Sequence, residues 1–60
     1  MIYLVTHPND NEVETVSTWE GPQEAARIAA GRGNNGFWMG VKLTVYTLHA
    51  GDSTDVTVTS

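Results

Sequence analysis

Hydrophobic and polar positions alternate along several short stretches of this 60-residue chain and take a helical spacing in one. Ile2-Tyr3-Leu4-Val5-Thr6 is rich in β-branched and aromatic residues, and Val13-Glu14-Thr15-Val16-Ser17-Thr18-Trp19 resumes a β-prone run. Between them, His7-Pro8-Asn9-Asp10-Asn11-Glu12 is dense in turn formers. Pro8 stops the first strand, and Asn9, Asp10 and Asn11 tolerate left-handed backbone angles and can hydrogen-bond their own backbone, so the segment predicts a hairpin. Val41-Lys42-Leu43-Thr44-Val45-Tyr46-Thr47-Leu48 alternates most clearly, with Val41, Leu43 and Val45 on one face and Lys42, Thr44 and Tyr46 on the other. After a turn at His49-Ala50-Gly51-Asp52-Ser53, alternation returns through Val56 and Val58, in a threonine-rich end of the kind that frays.

The helical spacing falls between Glu20 and Gly33. Gly21 stands at the N-cap and Pro22 at the first helical position, where a missing N–H is no loss; Glu24 lies in the first turn. Ala25, Ile28 and Ala29 form an apolar stripe, Gln23, Glu24 and Arg27 face water, and Gly31 is expected to end the helix in a left-handed conformation. A helix of about nine or ten residues is not stable alone and must be held by packing.

The order strand, strand, helix, strand, strand predicts a single α+β mini-domain over residues 1–60. A right-handed crossover through the helix lays the third strand beside the first. The result is a two-layer fold: an antiparallel four-stranded sheet in spatial order 2-1-3-4, with one short helix packed on one face. The other face is expected to be partly bare and to carry Tyr3, Val5 and Tyr46, which makes it a candidate dimer surface.

Size sharpens that expectation. A core of this length rarely supplies more than about 3–5 kcal/mol, and small domains are commonly reinforced by disulfides, a metal or self-association. The chain has no cysteine, and no histidine cluster suggests a metal, so a homodimer is expected. No charged leader precedes an apolar run and no stretch of 18 residues is apolar, which predicts a cytoplasmic protein without a membrane partner. The formal charge of −4 is unevenly spread: Arg27, Arg32 and Lys42 are the only cations and lie in one consecutive stretch. That stretch reads as macrodipole matching at the helix end or as a small cationic spot on an acidic body.

Catalytic and cofactor motifs are absent from the pattern. Gly31-Arg32-Gly33-Asn34-Asn35-Gly36 spells a dinucleotide-loop pattern but follows a helix and opens a strand, the reverse of the required context. His7 and His49 read as solvated turn residues rather than metal ligands with Asp10 or Asp52. Asn9-Asp10-Asn11-Glu12 lacks the glycine and the terminal glutamate of a calcium loop. No spacing orients a base on a nucleophile. The chain is therefore expected to be no enzyme and to hold no cofactor or metal.

The residual signal is Phe37-Trp38-Met39 after an arginine-bearing loop. Aromatic residues, methionine and arginine are enriched at interfaces, so Arg32, Phe37, Trp38 and Met39 are the candidate partner-binding residues. Adjacent strand residues point to opposite faces, so at least one of Phe37 and Trp38 belongs beneath the helix; Phe37 leans there and Trp38 is left open. Trp19 is expected to pack against the helix start. The loop from Gly31 to Gly36 is expected to be the most mobile interior segment and to border the binding surface.

The opening strand Ile2-Tyr3-Leu4-Val5, a hairpin ending in Trp19 and a helix with a Glu24-Ala25-Ala26 core resemble small bacteriophage-encoded accessory proteins, especially those of high-GC hosts. The likeness covers about the first 30 residues and rests on pattern rather than a diagnostic motif. It implies a compact protein of a class in which some members bind and disable host proteins. The chain thus reads as a non-enzymatic protein-binding module that modulates a host factor. The alternative is a small single-stranded nucleic-acid binder using Arg32, Lys42 and a stacking Trp38. Only three cations and a pI near 4.7 argue against it.

Overall fold

The Asn/Asp-rich turn closes the opening hairpin through the side chain that sequence chemistry singles out. In a computed structural model, which describes residues 1–32 and 35–59, strand β1 spans Ile2–Thr6 and strand β2 spans Val13–Ser17. Between them the Asp10 N–H donates to the His7 carbonyl at 3.2 Å, and Asp10 Oδ1 accepts from the Glu12 N–H at 3.1 Å. Helix α1 follows at Pro22–Ala30, then a 3-10 turn at Asn35–Trp38, strand β3 at Lys42–Thr47 and strand β4 at Ser53–Thr57. The four strands form one antiparallel sheet in the order β2-β1-β3-β4, with the helix inserted between the two hairpins as the sequence predicts.

Side-chain alternation divides the sheet into a covered and an open face. Tyr3 pairs with Val16, Val5 with Val45 and Leu43 with Val56, and all six lie under the helix. Against them α1 presents Ala25, Ala26, Ala29 and Ala30, each at most 1% exposed. Trp38 and Val58 complete the core, with Ile28 and Met39 packed at its margin.

This arrangement corrects several expectations. Tyr3 and Val5 belong to the core and not to the bare face. Ile-Tyr-Leu-Val is apolar on both faces, so the sequence leaves the parity of β1 open; pairing with Val16 and Val45 decides it. Tyr46, opposite Leu4, does lie on the open face and is 42% exposed. The apolar stripe of α1 is shifted: Ala25, Ala26, Ala29 and Ala30 are the helix's buried residues and Ile28 sits half-buried at the flank, where there is room for its longer side chain. Gly31 is right-handed (φ −88°) and its N–H is shared between the Arg27 and Ile28 carbonyls. A Cβ there would stand 3.3 Å from the Arg27 carbonyl oxygen, so crowding rather than handedness favours glycine. Trp19 is 94% exposed rather than packed on the helix start. The chain bends after β2, where Thr18 Oγ1 accepts from the Glu20 N–H at 3.1 Å, and the indole is left in solvent.

Candidate functional site

The residues singled out around the helix-to-strand connection do not form one exposed surface. Phe37 and Trp38 sit in the 3-10 turn instead of a strand, and the division between them is the reverse of the expected lean: Trp38 is fully buried and Phe37 is 56% exposed. The Trp38 indole Nε1 donates to Asp10 Oδ2 at 3.3 Å, tying the turn to the first hairpin. His7, expected to be solvated, is buried in this cluster. Its ring centroid lies 5.1 Å from that of Phe37 and 5.7 Å from that of Trp38, and its Nδ1 accepts from the Asn9 N–H at 3.0 Å. His7 extends the inward parity of Tyr3 and Val5 beyond the strand, a signal available once that parity is known. Met39 is half-buried against the core. Gly33 and Asn34, within the loop expected to be mobile, lie outside the described residues.

Arg32 is held by the scaffold. Its Nη1 donates to the Thr15 carbonyl at 2.9 Å and to Glu14 Oε1 at 3.2 Å, clasping the end of the helix to β2. Arg27 pairs with Glu24 at 2.8 Å along α1, an exposed contact of a kind that contributes at most a few tenths of a kcal/mol. Lys42 is exposed on β3, opposite Thr57. The three residues of the nucleic-acid alternative are therefore dispersed: Trp38 in the core, Arg32 after α1 and bonded against the β2 edge, and Lys42 on the open side of β3.

The register instead gathers large apolar side chains at one end of the open sheet face. Leu4 pairs with Tyr46, the Leu48 N–H donates to the Ile2 carbonyl at 3.1 Å, and the Thr18 N–H donates to the Met1 carbonyl at 3.0 Å. On this face Ile2, Tyr46 and Leu48 are each between 41% and 59% exposed; Met1 shares the parity of Tyr3 and belongs to the helix side, and Trp19 lies one residue beyond the Thr18 contact, past the bend that ends β2. Apart from the exposed Val13 opposite Thr6, the rest of that face is polar: Thr6, Thr15, Lys42, Thr44, Asp55 and Thr57 line it by alternation, with Thr44 Oγ1 donating to Asp55 Oδ1 at 3.4 Å. Chemically, such a surface offers an apolar anchor beside hydroxyl and carboxylate hydrogen-bonding groups. No helix is long and apolar enough to cross a membrane among the described residues. No protein-family model, curated protein or solved structure matches the chain.

Proposed function

We propose that the chain is a non-enzymatic protein-binding module, acting in the cytoplasm, which engages another protein through the Ile2, Tyr46 and Leu48 end of its open sheet face, with the exposed Trp19 just beyond the end of β2. The observation that carries this reading is that pairing sets the exposed Ile2, Tyr46 and Leu48 side by side around Leu4 on the open face of so small a domain, since contiguous exposed apolar patches mark interaction sites. A tryptophan that is 94% exposed adds an anchor of the residue type most enriched at binding hot spots. The likeness of the first 30 residues to bacteriophage accessory proteins supports a host protein as the partner. Burial of Trp38 and the engagement of Arg32 with β2 weigh against stacking on single-stranded nucleic acid.

The test compares proteins captured from a bacterial lysate by the wild-type chain with those captured by Trp19→Ala and Leu48→Ser. Both positions are exposed, so the variants should melt close to wild type. Loss of the same captured protein from both supports the reading, with an affinity decrease of more than about 1 kcal/mol for Trp19→Ala when measured with that protein. An unchanged captured set would sink it.

A further inference from the structure

The two edges of this sheet are not equivalent. In an antiparallel ladder, residues alternate between directing both backbone groups at the neighbouring strand and directing both away from it. The Thr18 N–H bonds the Met1 carbonyl, which with the β1–β2 register turns the backbone groups of Val13, Thr15 and Ser17 outward. The Arg32 guanidinium lies across the middle of that edge, bonded to the outward Thr15 carbonyl at 2.9 Å. On the opposite side of the sheet, the Thr47 N–H bonds the Asp52 carbonyl at 2.8 Å, which turns the backbone groups of Ser53, Asp55 and Thr57 outward. Strand β4 carries no proline, lysine or arginine, the residues that commonly blunt an exposed edge.

We propose that β4 pairs antiparallel with the β4 of a second copy of this chain, joining two sheets into one. The register centred on Val56 is favoured. It sets the outward groups of Asp55 against those of Thr57 of the second copy, whereas centring on Asp55 would oppose two carboxylates directly. Asp55 already accepts from a threonine hydroxyl across the β3–β4 ladder, and on the open face the second copy's Thr57 offers it another.

Charge selects the second copy over a foreign strand. Beside β4 a groove of about 170 Å³ is lined by Gln23 and Arg27 of α1 and by residues 56–59. In the favoured register Thr54 of the second copy lies opposite Val58, with its Asp52 two residues further along on the same helix-side face. That brings a carboxylate toward the mouth of a groove bearing Arg27, whose side chain is 69% exposed and already donates to Glu24 at 2.8 Å but whose five-donor guanidinium can serve a second carboxylate, and two-fold symmetry repeats the match. This inference concerns the β4 edge and stands apart from the open-face reading above.

Sedimentation equilibrium at about 100 μM is expected to show a dimer, weak as befits an interface built on one strand pair. Thr57→Pro removes only an outward N–H and leaves the β3 ladder intact, so it should weaken dimerisation at least about tenfold, while Thr15→Pro on the other edge should change it by less than about twofold. Arg27→Asp should weaken it and Asp52→Arg in the same chain should restore it. Should Thr57→Pro fail to fold, amide exchange of the wild type decides the matter: Asp55 and Thr57 should be more protected at high than at low concentration. A monomer at about 100 μM, a dimer indifferent to Thr57→Pro, or concentration-independent exchange at both amides would overturn the proposal.

Discussion

Trp38 and the four buried alanines set the tolerance of this core at the level of single residues. Trp38 is the largest fully buried side chain, and truncating such a residue to alanine costs about 3–5 kcal/mol, roughly what a core of this size supplies in total. Trp38→Ala is therefore expected to be largely unfolded by circular dichroism; a cooperative melt near that of wild type would show that the indole is dispensable. Trp38→Phe keeps most of the apolar volume but loses the bond to Asp10, and a shift nearer 1 kcal/mol is expected. The helix offers a sharper contrast. Ile28 is only half-buried, so Ile28→Ala should cost less than the roughly 2–5 kcal/mol of a core truncation. Ala29→Leu forces extra methylenes between helix and sheet and should cost at least about 1–3 kcal/mol. If thermal melts ranked Ile28→Ala as the more damaging, the buried face of the helix would not run along its alanines.

The entry to α1 depends on backbone conformation more than on side-chain capping. Gly21 has φ 102° and provides no side-chain cap, so Gly21→Ala should destabilise the domain by about 1–2 kcal/mol, measured by urea titration, although an added Cβ would touch nothing. Elements and their order were legible in the sequence because turn chemistry and strand alternation agree: Pro8 with Asn9, Asp10 and Asn11, Pro22 after Gly21, and the regular alternation from Val41 to Leu48. Strand order followed from the crossover. What local pattern could not provide was parity and depth. Strand β1 is apolar on both faces, so its inward set was fixed only by pairing with Val16 and Val45. Reading Phe37 and Trp38 as strand residues leans Phe37 toward the core and leaves Trp38 open; they occupy a 3-10 turn, where strand alternation does not apply. The bond from Arg32 to the Thr15 carbonyl joins residues 17 apart in sequence, beyond the reach of any periodicity. Of the expected site, Tyr46 was placed on the correct face, while Trp38 was claimed by the core.

At the scale of the whole molecule, one layer of helix on one layer of sheet leaves the open face and two edges as routes to association. Lysine at Tyr46 and at Leu48 together should leave the melting temperature nearly unchanged, since both side chains are more than two-fifths exposed, and should reduce retention on a hydrophobic matrix. Unchanged retention would show that the patch at that end does not act as one surface. The Arg32 clasp has a different consequence. A sheet with one available edge stops growing once two copies meet, because the product presents only β2 edges, each with Arg32 bonded at its middle. Opening the second edge removes that stopping rule, since every added copy then offers a fresh template and assembly proceeds without closure. If β4 pairs as proposed above, Arg32→Ala should turn a bounded dimer into fibrous polymers, seen as rising light scattering and thioflavin fluorescence at concentrations where the wild type stays clear. A clear, dimeric Arg32→Ala solution would mean that something else guards the β2 edge. On this view a single guanidinium, shared between one backbone carbonyl and one carboxylate, separates a finite particle from a filament.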